Sequence, residues 1–490
     1  MRSAFDRLSP TSAALLLAFA ALALRAVDFG NPVVHVDEQY YLLVGNRVLH
    51  GALPYIDIWD RKPIGLFLIY AALAALPGDG ILTYQLAATA FAAATAWLVF
   101  IGARLSGATR GGALAAGFAY LVWLSLLGGR GGQAPVFYDL PVTAAAVLVL
   151  RLPALARAGR RSSIVTHGTA ACLLMGISIQ IKPTALFEAL FVAGAHLWFL
   201  RQAGARFPTL LAAAMVMVAG ISVPTLAAMV SYLRLGPPAF DAWWFANVRS
   251  ILLRPGYPAG QLAMRLLGIG AQLSPLIVCA AIGWRFRDTA ARDERRLAFA
   301  WLGAATIGFF AIGTFFDHYA LPLIAPLAIT GAATLGRAPR ATVGSLGLAL
   351  VLLVIERGSM PDDRAGARSI AAVVAANSGR ECPYVFIGDT ITYHLAHACL
   401  PTAYAFPNLL AYAAEQGATG IDEAAEVRRI LAARPPVIVT STRELAIWNR
   451  GSIDALKMAL RSDYRAVYSA PRARYRTIVY LRNDRPYRRP

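Results

Sequence analysis

The feature that most constrains this chain is the number of apolar runs long enough to cross a lipid bilayer. A spanning helix needs about 20 predominantly apolar residues. We predict eleven such spans, at residues 11–28, 81–103, 112–128, 138–156, 164–181, 184–200, 207–232, 263–284, 297–316, 319–336 and 341–356. The chain has 490 residues, 58% of them hydrophobic, and a mean hydropathy of +0.54, which excludes an ordinary soluble enzyme. The first run lacks a small-residue cleavage site, so we interpret it as a retained helix.

The formal net charge of +19 is explained by the membrane. Arginines cluster in the short loops between apolar runs, as the positive-inside rule requires. The sequence has no soluble module in which basic and aromatic residues alternate, so we predict no nucleic-acid partner. The expected macromolecular surroundings are membrane lipids.

Charge also decides how the chain threads the bilayer. The apolar stretch at 64–76 has only about 13 residues, which is typical of an interfacial or re-entrant helix rather than a span. If it does not cross and the N-terminus is cytoplasmic, the basic loop clusters all fall inside: Arg104 and Arg110; Arg157, Arg160 and Arg161; Arg201 and Arg206; Arg285, Arg287, Arg292, Arg295 and Arg296; Arg337 and Arg340. If it crosses, they all move outside. We therefore predict a bacterial inner-membrane protein with an external C-terminus and a cytoplasmic N-terminus, which carries Arg2 and Arg7.

The pattern changes at about Gly358. Short apolar runs of strand length, at 384–388, 403–406, 437–441 and 477–481, alternate with helical patterns at 422–433 and 452–461. Alternation of this kind predicts a small α/β domain. We predict a transmembrane domain at 1–357, with a first external loop at 28–80, and a periplasmic α/β domain at 358–490. Gly388-Asp389-Thr390 is interpreted as a strand-to-helix cap, and the pairing of Cys382 with Cys399 stays open.

This threading gathers charged side chains on the external face. They are Asp37, Glu38, Lys62, Asp139, Lys182, Asp317 and His318, each in a loop or at a helix end. Ionisable groups near a bilayer are costly to bury and are usually functional or paired. Their common face indicates one external site.

Asp37 and Glu38 are the leading catalytic candidates. Asp37 has an alternative role as the N-cap of the helical stretch 39–49, because aspartate caps well. In the functional interpretation one acid is a general base, and its neighbour orients a metal, water or substrate. Lys62 precedes a proline that begins the short apolar helix, so it lies where backbone N–H groups favour an anion. Both Arg61 and Lys62 are candidate phosphate ligands, and membrane snorkelling is the alternative.

The remaining candidates follow from the later loops. Asp139 is either a helix cap or a second acid of the site. Lys182 lies in a very tight outer turn and is a phosphate ligand or a snorkelling residue. His318 binds phosphate, ligates a metal or faces water. His35, Asp37 and His318 are candidate ligands of a divalent ion, although no metal-ligand spacing is visible. The stretch 240–257 has the aromatic and basic residues of an interfacial helix.

The first loop resembles a known family. Its motif consists of Asp37-Glu38, Tyr41, Gly45, Gly51, Pro54-Tyr55 and Lys62-Pro63. It looks like that of the membrane glycosyltransferases that use polyprenyl-phosphate sugars, which have the GT-C fold and include protein O-mannosyltransferases and the aminoarabinose transferase of lipid A. The layout extends over residues 10–355, whereas the specific motif is confined to 35–63. Ile64 stands where the family often has a second proline.

The resemblance implies a role for each matching residue. Asp37 is the base toward the acceptor, assisted by Glu38, and Asp139 is a second acid of the cavity. The lipid-linked phosphate is bound by Lys62 and Arg61, and by Lys182, His318 and Tyr319. The implied partners are a polyprenyl-phosphate-linked sugar and an acceptor that is lipopolysaccharide or lipid A, a polysaccharide, a glycolipid or a protein. Inversion at the anomeric centre is implied, no cofactor is certain, and a divalent metal stays open. A transporter or lipid flippase is the alternative.

Overall fold

The structure is a computed structural model and describes residues 9–286, 291–360, 362–443, 445, 447–472 and 475–490. Arg2, Arg7 and Arg287, used above in the charge argument, lie outside these ranges. The chain folds into two compact units. The first consists of Met1–Asp28, Gln85–Ala228 and Pro258–Arg357, and the second of Phe29–Tyr84, Met229–Tyr257 and Gly358–Pro490. The predicted boundary between residues 357 and 358 thus coincides with one of the junctions, while the first loop groups with the C-terminal region.

Helices account for most of the chain. Up to residue 202 they are α1 (Pro10–Arg25), α2 (Val36–Leu49), α3 (Ile64–Ala74), α4 (Ile81–Leu105), α5 (Arg110–Leu126), α6 (Ala134–Leu150), α7 (Leu152–Arg157), α8 (Arg161–Ile179) and α9 (Leu186–Gln202). Up to residue 358 they are α10 (Phe207–Arg234), α11 (Pro237–Trp244), α12 (Ser250–Leu252), α13 (Ala259–Trp284), α14 (Arg292–Ile312), α15 (Ile324–Arg337) and α16 (Pro339–Gly358). Short 3₁₀ turns at Ala26–Asp28, Pro183–Ala185 and Asp317–Leu323 precede or follow several of them.

Each of the eleven predicted spans coincides with helical structure: a single helix, a helix with an adjoining 3₁₀ turn or, at 138–156, the consecutive helices α6 and α7. Eight helical segments of the described residues are long and apolar enough to cross a membrane: Pro10–Asp28, Ile81–Leu105, Ala134–Arg157, Arg161–Ile179, Pro183–Gln202, Phe207–Arg234, Ala259–Trp284 and Asp317–Arg337. The segments α5, α14 and α16 are helical but do not meet that criterion, so the count of eleven crossings stays a prediction. The short helix α3 has 11 residues, too few to span, as the sequence predicts.

The first unit is a helical assembly with apolar side chains on its outside. Phe19, Leu190, Met215 and Leu267 are all more than half exposed. Exposed apolar side chains at this density are expected where hydrocarbon, not water, is the solvent. Inside the unit, the buried Arg25 at the end of α1 donates hydrogen bonds to the carbonyl oxygens of Gly129 and Gly131, at 2.5 and 2.6 Å, and so fixes the loop before α6.

The second unit contains the sheet. The C-terminal elements are α17 (Arg364–Ser378), β1 (Tyr384–Val385), α18 (Ile391–Leu395), α19 (Pro407–Ala411), α20 (Glu423–Ala432), β2 (Val437–Ser441), α21 (Arg450–Asp463), β3 (Tyr464–Arg472) and β4 (Tyr475–Arg482). Strand order is β1-β2-β4-β3, with β1 parallel to β2 and the other pairs antiparallel. The small α/β fold is therefore confirmed. A core that includes Phe386, Leu410, Val427, Ile430 and Ile438 joins the sheet to its helices.

One predicted strand is absent from the structure and one observed strand is not predicted, each for a physical reason. The run at 403–406 is irregular, because its backbone serves the first loop: the carbonyl oxygen of Ala403 accepts a hydrogen bond from the amide of Trp59 at 2.8 Å. Strand β3 is absent from the predicted set, since Tyr464–Arg472 mixes arginine, alanine and proline without a clear alternation. Cys382 and Cys399 are joined by a disulfide bond.

Candidate active site

Asp37 lies in the first turn of α2, but it is not the capping residue. His35 caps the helix, because its Nδ1 atom accepts a hydrogen bond from the backbone amide of Asp37 at 3.2 Å. The carboxylate of Asp37 lies 3.8 Å from the same nitrogen, and its side chain is 15% exposed. Asp37 is thus held at the positive end of a helix, which favours its ionised form, and it remains accessible.

Glu38 differs from its neighbour in burial. Its side chain is fully buried, as are those of Gln39, Tyr40 and Tyr41, so the first turn of α2 is embedded in its unit. The Gln39 amide donates a hydrogen bond to Asp389 at 2.9 Å, which connects α2 to the C-terminal region. Because Asp37 alone of the two acids reaches the surface, it is the better placed to meet a substrate.

The loop after α2 is pinned around Tyr55. Tyr55 adopts φ of +72°, a left-handed conformation that costs free energy for a residue with a side chain. Its amide donates to the carbonyl oxygen of Ile58 at 2.8 Å, and its hydroxyl donates to that of Lys62 at 2.9 Å. Burial raises the pKa of Tyr55 well above its ordinary value, so the hydroxyl stays a donor. Tyr55 therefore fixes the backbone at Ile58 and at Lys62, the two ends of the segment 58–62.

Lys62 reaches the face of α2 that carries Asp37. Its Nζ lies 5.0 Å from the centre of the Tyr41 ring, and Tyr41 follows Asp37 by four residues, one turn along the same face. The same Nζ is 3.1 Å from Asp60 Oδ2. The side chain of Lys62 is 31% exposed, and the aromatic ring and carboxylate hold it as a cation at the edge of the unit.

Arg61 points to a different partner. Its guanidinium lies 2.6 Å from Glu415 Oε2, and Arg254 lies 2.6 Å from Glu415 Oε1. Arg61 also stacks over Trp59, with 5.2 Å between its Cζ atom and the ring centre. Glu415 is only 8% exposed, so the two arginines and the carboxylate form a largely buried ion-pair cluster.

The glycine of the Tyr-x-x-x-Gly motif has a packing role. A Cβ atom on Gly45 would lie 2.6 Å from the backbone nitrogen of Ala71 and 2.6 Å from the carbonyl carbon of Tyr70. The backbones of α2 and α3 therefore touch at this point, and the rings of Tyr41 and Tyr70 meet edge to face. The motif thus sets the distance between the helix that carries Asp37 and the one that follows Lys62.

The first unit contains the other candidates. Lys182 precedes the turn Pro183–Ala185, and its Nζ lies 4.0 Å above the ring of Tyr319. Tyr319 packs edge to face on His318, and His318 stacks on Phe316. Arg265 lies 4.1 Å above the Phe316 ring. Lys182, His318 and Tyr319 are therefore brought together in a cluster of cations and aromatic rings.

Asp139 lies inside α6 and not at its end. The helix begins at Ala134, since Pro135 suits its first turn, so the cap interpretation of Asp139 is wrong. Tyr120 donates a hydrogen bond to the buried carboxylate at 3.2 Å. Glu188 and Lys182 interact with it electrostatically. This places Asp139 in the same neighbourhood as Lys182, as the sequence predicts for one site.

Asp389 has a structural role that sequence patterns do not indicate. The sequence suggests that it belongs to a cap, but Thr390 occupies the N-cap position of α18 without a side-chain cap bond. Asp389 instead pairs with Arg472 at 3.0 Å, and Arg472 also contacts Asp363 and donates to the carbonyl oxygen of Val33 at 2.9 Å. Burial opposes the charge of Arg472, but Asp389 raises its pKa, so it stays a cation.

Three acids that interact with candidate site residues are not predicted from the sequence. They are Asp60, Glu415 and Glu188. Asp60 lies two residues before Lys62, and that position is the available signal. Glu415 and Glu188 give no signal, because their partners are far away in the sequence. For the metal candidates, the second unit holds His35 and Asp37, and His318 belongs to the first unit.

Comparison with solved structures identifies the architecture. ArnT from Cupriavidus metallidurans in the apo state superposes with a TM-score of 0.60 at 14% sequence identity, over 95% of this chain and 97% of that one. The same protein bound to undecaprenyl phosphate gives a TM-score of 0.58, also at 14% identity, over 96% and 97%. The chain has the GT-C fold.

A more distant structure agrees. The archaeal oligosaccharyltransferase AglB from Archaeoglobus fulgidus, in complex with an inhibitory peptide and a dolichol-phosphate, gives a TM-score of 0.52 at 12% identity, over 99% of this chain and 75% of that one. No protein-family model matches the sequence. No curated protein matches it either. The expected GT-C fold is therefore confirmed by structure at identities too low for sequence comparison.

Proposed function

We propose that this protein is a membrane glycosyltransferase that moves a sugar from a polyprenyl-phosphate donor to an acceptor at the external face of the bacterial inner membrane. The observation that carries the proposal is the GT-C fold, shared over nearly the whole length with a structure that holds undecaprenyl phosphate. A second structure with the same fold is an oligosaccharyltransferase that holds a dolichol-phosphate. Polyprenyl phosphate is thus the ligand common to both neighbours.

Asp37 and Lys62 supply the two groups that the reaction needs. In the proposed step, an acceptor oxygen attacks the anomeric carbon while the bond from that carbon to the phosphate oxygen breaks. Asp37 takes the proton from the acceptor, as an accessible carboxylate at a helix N-terminus can do. Lys62 stabilises the negative charge that develops on the departing polyprenyl phosphate. Attack opposite the leaving group inverts the anomeric centre.

The other candidates take supporting roles in this proposal. Glu38 is buried and orients the first turn of α2 rather than contacting substrate. Arg61, engaged by Glu415, holds the loop that presents Lys62. In the first unit, Asp139 is the second acid, and Lys182, His318 and Tyr319 bind the donor phosphate. Aromatic rings beneath the lysine support this role, because they hold the ammonium group without neutralising it.

Sugar transfer tests the proposal directly. The purified protein in bilayer nanodiscs is incubated with synthetic polyprenyl-phosphate sugars and with envelope glycolipid or protein fractions, and products are analysed by mass spectrometry. We expect a glycosylated acceptor and released polyprenyl phosphate in equal amounts. Movement of the intact donor across a vesicle bilayer without any transfer would contradict the proposal and favour the flippase alternative.

Chelation tests the metal separately. His35 and Asp37 are the metal candidates in the second unit. Because Nδ1 of His35 accepts the amide hydrogen of Asp37, Nε2 is the ring atom that would hold a divalent ion. Transfer is measured after treatment with EDTA and again after addition of Mg²⁺, Mn²⁺ or Zn²⁺. Recovery by one ion would assign a metal to the reaction, while unchanged transfer in EDTA would leave the chemistry to Asp37 and Lys62.

The external placement of the C-terminal region is part of the proposal. The Cys382–Cys399 disulfide supports it, because disulfides persist in oxidising compartments such as the periplasm. A reporter that is active only after export, fused after Arg357, should be active. Activity of a cytoplasm-specific reporter at the same junction would reverse the threading.

A further inference from the structure

A cavity lies in the unit that carries Asp37, near the end of α2 that is opposite to that residue. Its volume is about 560 Å³, within the range of cavities that hold small ligands. Six ionisable side chains line it: Arg47, His50, Asp79, Arg368, His394 and His397. Ten residues separate Asp37 from Arg47, which corresponds to about 15 Å along the helix. The cavity is therefore distinct from the proposed reaction centre.

The lining is cationic, with a formal net charge of +1 when its imidazoles are neutral. It has two guanidinium groups, three imidazoles and a single carboxylate. That carboxylate, on Asp79, is engaged by Arg368 at 3.0 Å. Burial lowers the pKa of Arg47, as expected for a cation without enough compensating negative charge. The cavity thus carries an excess of positive charge that an anion would balance.

The protein engages only part of the hydrogen-bonding capacity of the cavity wall. Arg47 donates to the carbonyl oxygen of Ala398, but its buried Nε atom has no hydrogen-bond partner among the described residues. His50 uses Nδ1 on the carbonyl oxygen of Asn46 at 2.7 Å, and His394 uses Nε2 on that of Asp79 at 2.9 Å. A carbonyl oxygen only accepts, so the second nitrogen of each neutral imidazole is an acceptor. Protonation turns that nitrogen into a donor toward an anion.

Part of the cavity wall is the short connection between two apolar helices, and this places the cavity at a membrane surface. Gly78 and Asp79, in its wall, lie between the apolar helix α3, which ends at Ala74, and the apolar helix α4, which begins at Ile81. Helix α4 has 25 residues and meets the length and hydropathy of a spanning helix. Residues at the end of such a helix lie at the depth of lipid headgroups, where phosphate is the commonest anion.

We propose that this cavity is an anion-binding site that takes a phosphoryl group, carried either by a membrane-lipid headgroup or by a soluble phosphate compound. Guanidinium groups match phosphate oxygens in geometry and charge. The volume leaves room for the glycerol or sugar to which the phosphate is attached. Of the charged groups in the wall, Arg47 and Arg368 favour the ligand, and Asp79 opposes it.

The test measures binding, so it does not depend on the proposed transferase activity. The full chain in neutral detergent is titrated with inorganic phosphate by calorimetry at pH 7.5. We expect one site. Arg47→Gln should weaken binding by about tenfold or more, the effect of losing a charge-assisted hydrogen bond. Arg461→Gln, on the exposed face of α21, should leave it unchanged.

Two further variants separate binding from folding. Asp79→Asn removes the only carboxylate of the cavity wall among the described residues, and should tighten phosphate binding. His50→Gln keeps a donor toward the carbonyl oxygen of Asn46 but removes the imidazole from the cavity wall, so it should weaken phosphate binding while thermal unfolding is unchanged. Phosphate binding that is the same in the wild type, Arg47→Gln and Asp79→Asn would overturn the proposal.

The source of the phosphoryl group is decided in nanodiscs. Phosphatidic acid, compared with an uncharged diacylglycerol, should compete with phosphate if the ligand is a lipid headgroup. Competition that is lost in the Arg47→Gln variant identifies the lipid source. Binding of inorganic phosphate and of a soluble sugar phosphate, with no competition by phosphatidic acid, identifies the soluble source. Absence of binding by every one of these probes would refute the site.

Discussion

Arg61 and Lys62 are consecutive cations in one loop, but the structure uses them in opposite ways. Arg61 is inserted into a largely buried cluster with Glu415 and Arg254, whereas Lys62 lies at the edge of the unit between Asp60 and the Tyr41 ring. The difference lies in the partners. Arginine's planar fork suits a fixed carboxylate, and a lysine on a flexible stem suits a partner that comes and goes. Adjacent charges of the same sign therefore differ in role according to what surrounds them.

Asp37→Asn should produce the largest effect, because it removes the accessible carboxylate that we propose as the general base. A general base typically contributes about 10²- to 10⁴-fold to the rate, so initial rates of sugar transfer should fall by that factor while thermal unfolding stays unchanged. Asp454→Asn, on the exposed face of α21, is the matched control. Transfer within a few-fold of the wild type would remove Asp37 from the mechanism.

Glu415→Ala should mainly reduce stability. It leaves the buried guanidinium groups of Arg61 and Arg254 without their shared carboxylate, and breaking a buried ion pair costs about 3–5 kcal/mol. Thermal unfolding in detergent is the measurement. Glu381→Ala breaks an exposed pair with Arg485 and should cost at most about 1 kcal/mol. Equal small shifts of the unfolding temperature in the two variants would show that the cluster of Arg61, Arg254 and Glu415 does not stabilise the fold.

Lys62→Ala should change donor use with little loss of stability. A hydrogen bond to a charged group contributes about 1.5–3 kcal/mol, which corresponds to roughly a 10- to 100-fold loss in kcat/KM for the polyprenyl-phosphate sugar. Lys457→Ala, an exposed lysine of α21, serves as control. If Lys62→Ala alters only the KM of the acceptor, the phosphate role belongs to another residue.

Gly45→Ala should have the smallest effect, a modest loss of stability where α2 packs on α3. The added methyl group meets the backbone of α3 at 2.6 Å, and overpacking of this kind costs about 1–3 kcal/mol, offset by up to about 1 kcal/mol of helix propensity. Gly194→Ala, in helix α9 with no atom within 4 Å of the new Cβ, should be neutral or slightly stabilising. Identical unfolding temperatures for the two variants would contradict close contact between α2 and α3.

The sequence predicts the helices better than the tertiary packing. Long apolar runs specify helices in a bilayer, because no other open structure satisfies the backbone there, and all eleven predicted spans coincide with helices. The strands are predicted less well: β3 lacks alternation, and the run at 403–406 is held by Trp59 from a distant part of the chain.

The candidate site shows the same limit. Asp37 and Lys62 are recognisable from local spacing, because a helix start and a Lys-Pro step have local physical meaning. His35 caps α2 through a local bond to Asp37, but histidine is not among the residues that usually cap helices. The pairing of Arg61 with Glu415 spans 354 residues, and the burial of Glu38 likewise depends on tertiary packing. A single sequence carries no signal for such pairs. The same reason hides the cationic cavity, whose walls come from residues 46–79 and 368–397.

Arg472 has a consequence for how such enzymes can be recombined. Its guanidinium holds Asp363 and Asp389 of the C-terminal region together with the carbonyl oxygen of Val33 in the first loop. A chimera joined at residue 357 would separate Arg472 from the first loop that provides Val33, although the sequence changes character there. Exchange of the C-terminal region between two transferases should therefore succeed only when residues 29–84 and 229–257 are transplanted with it, so the chain's natural building block is discontinuous.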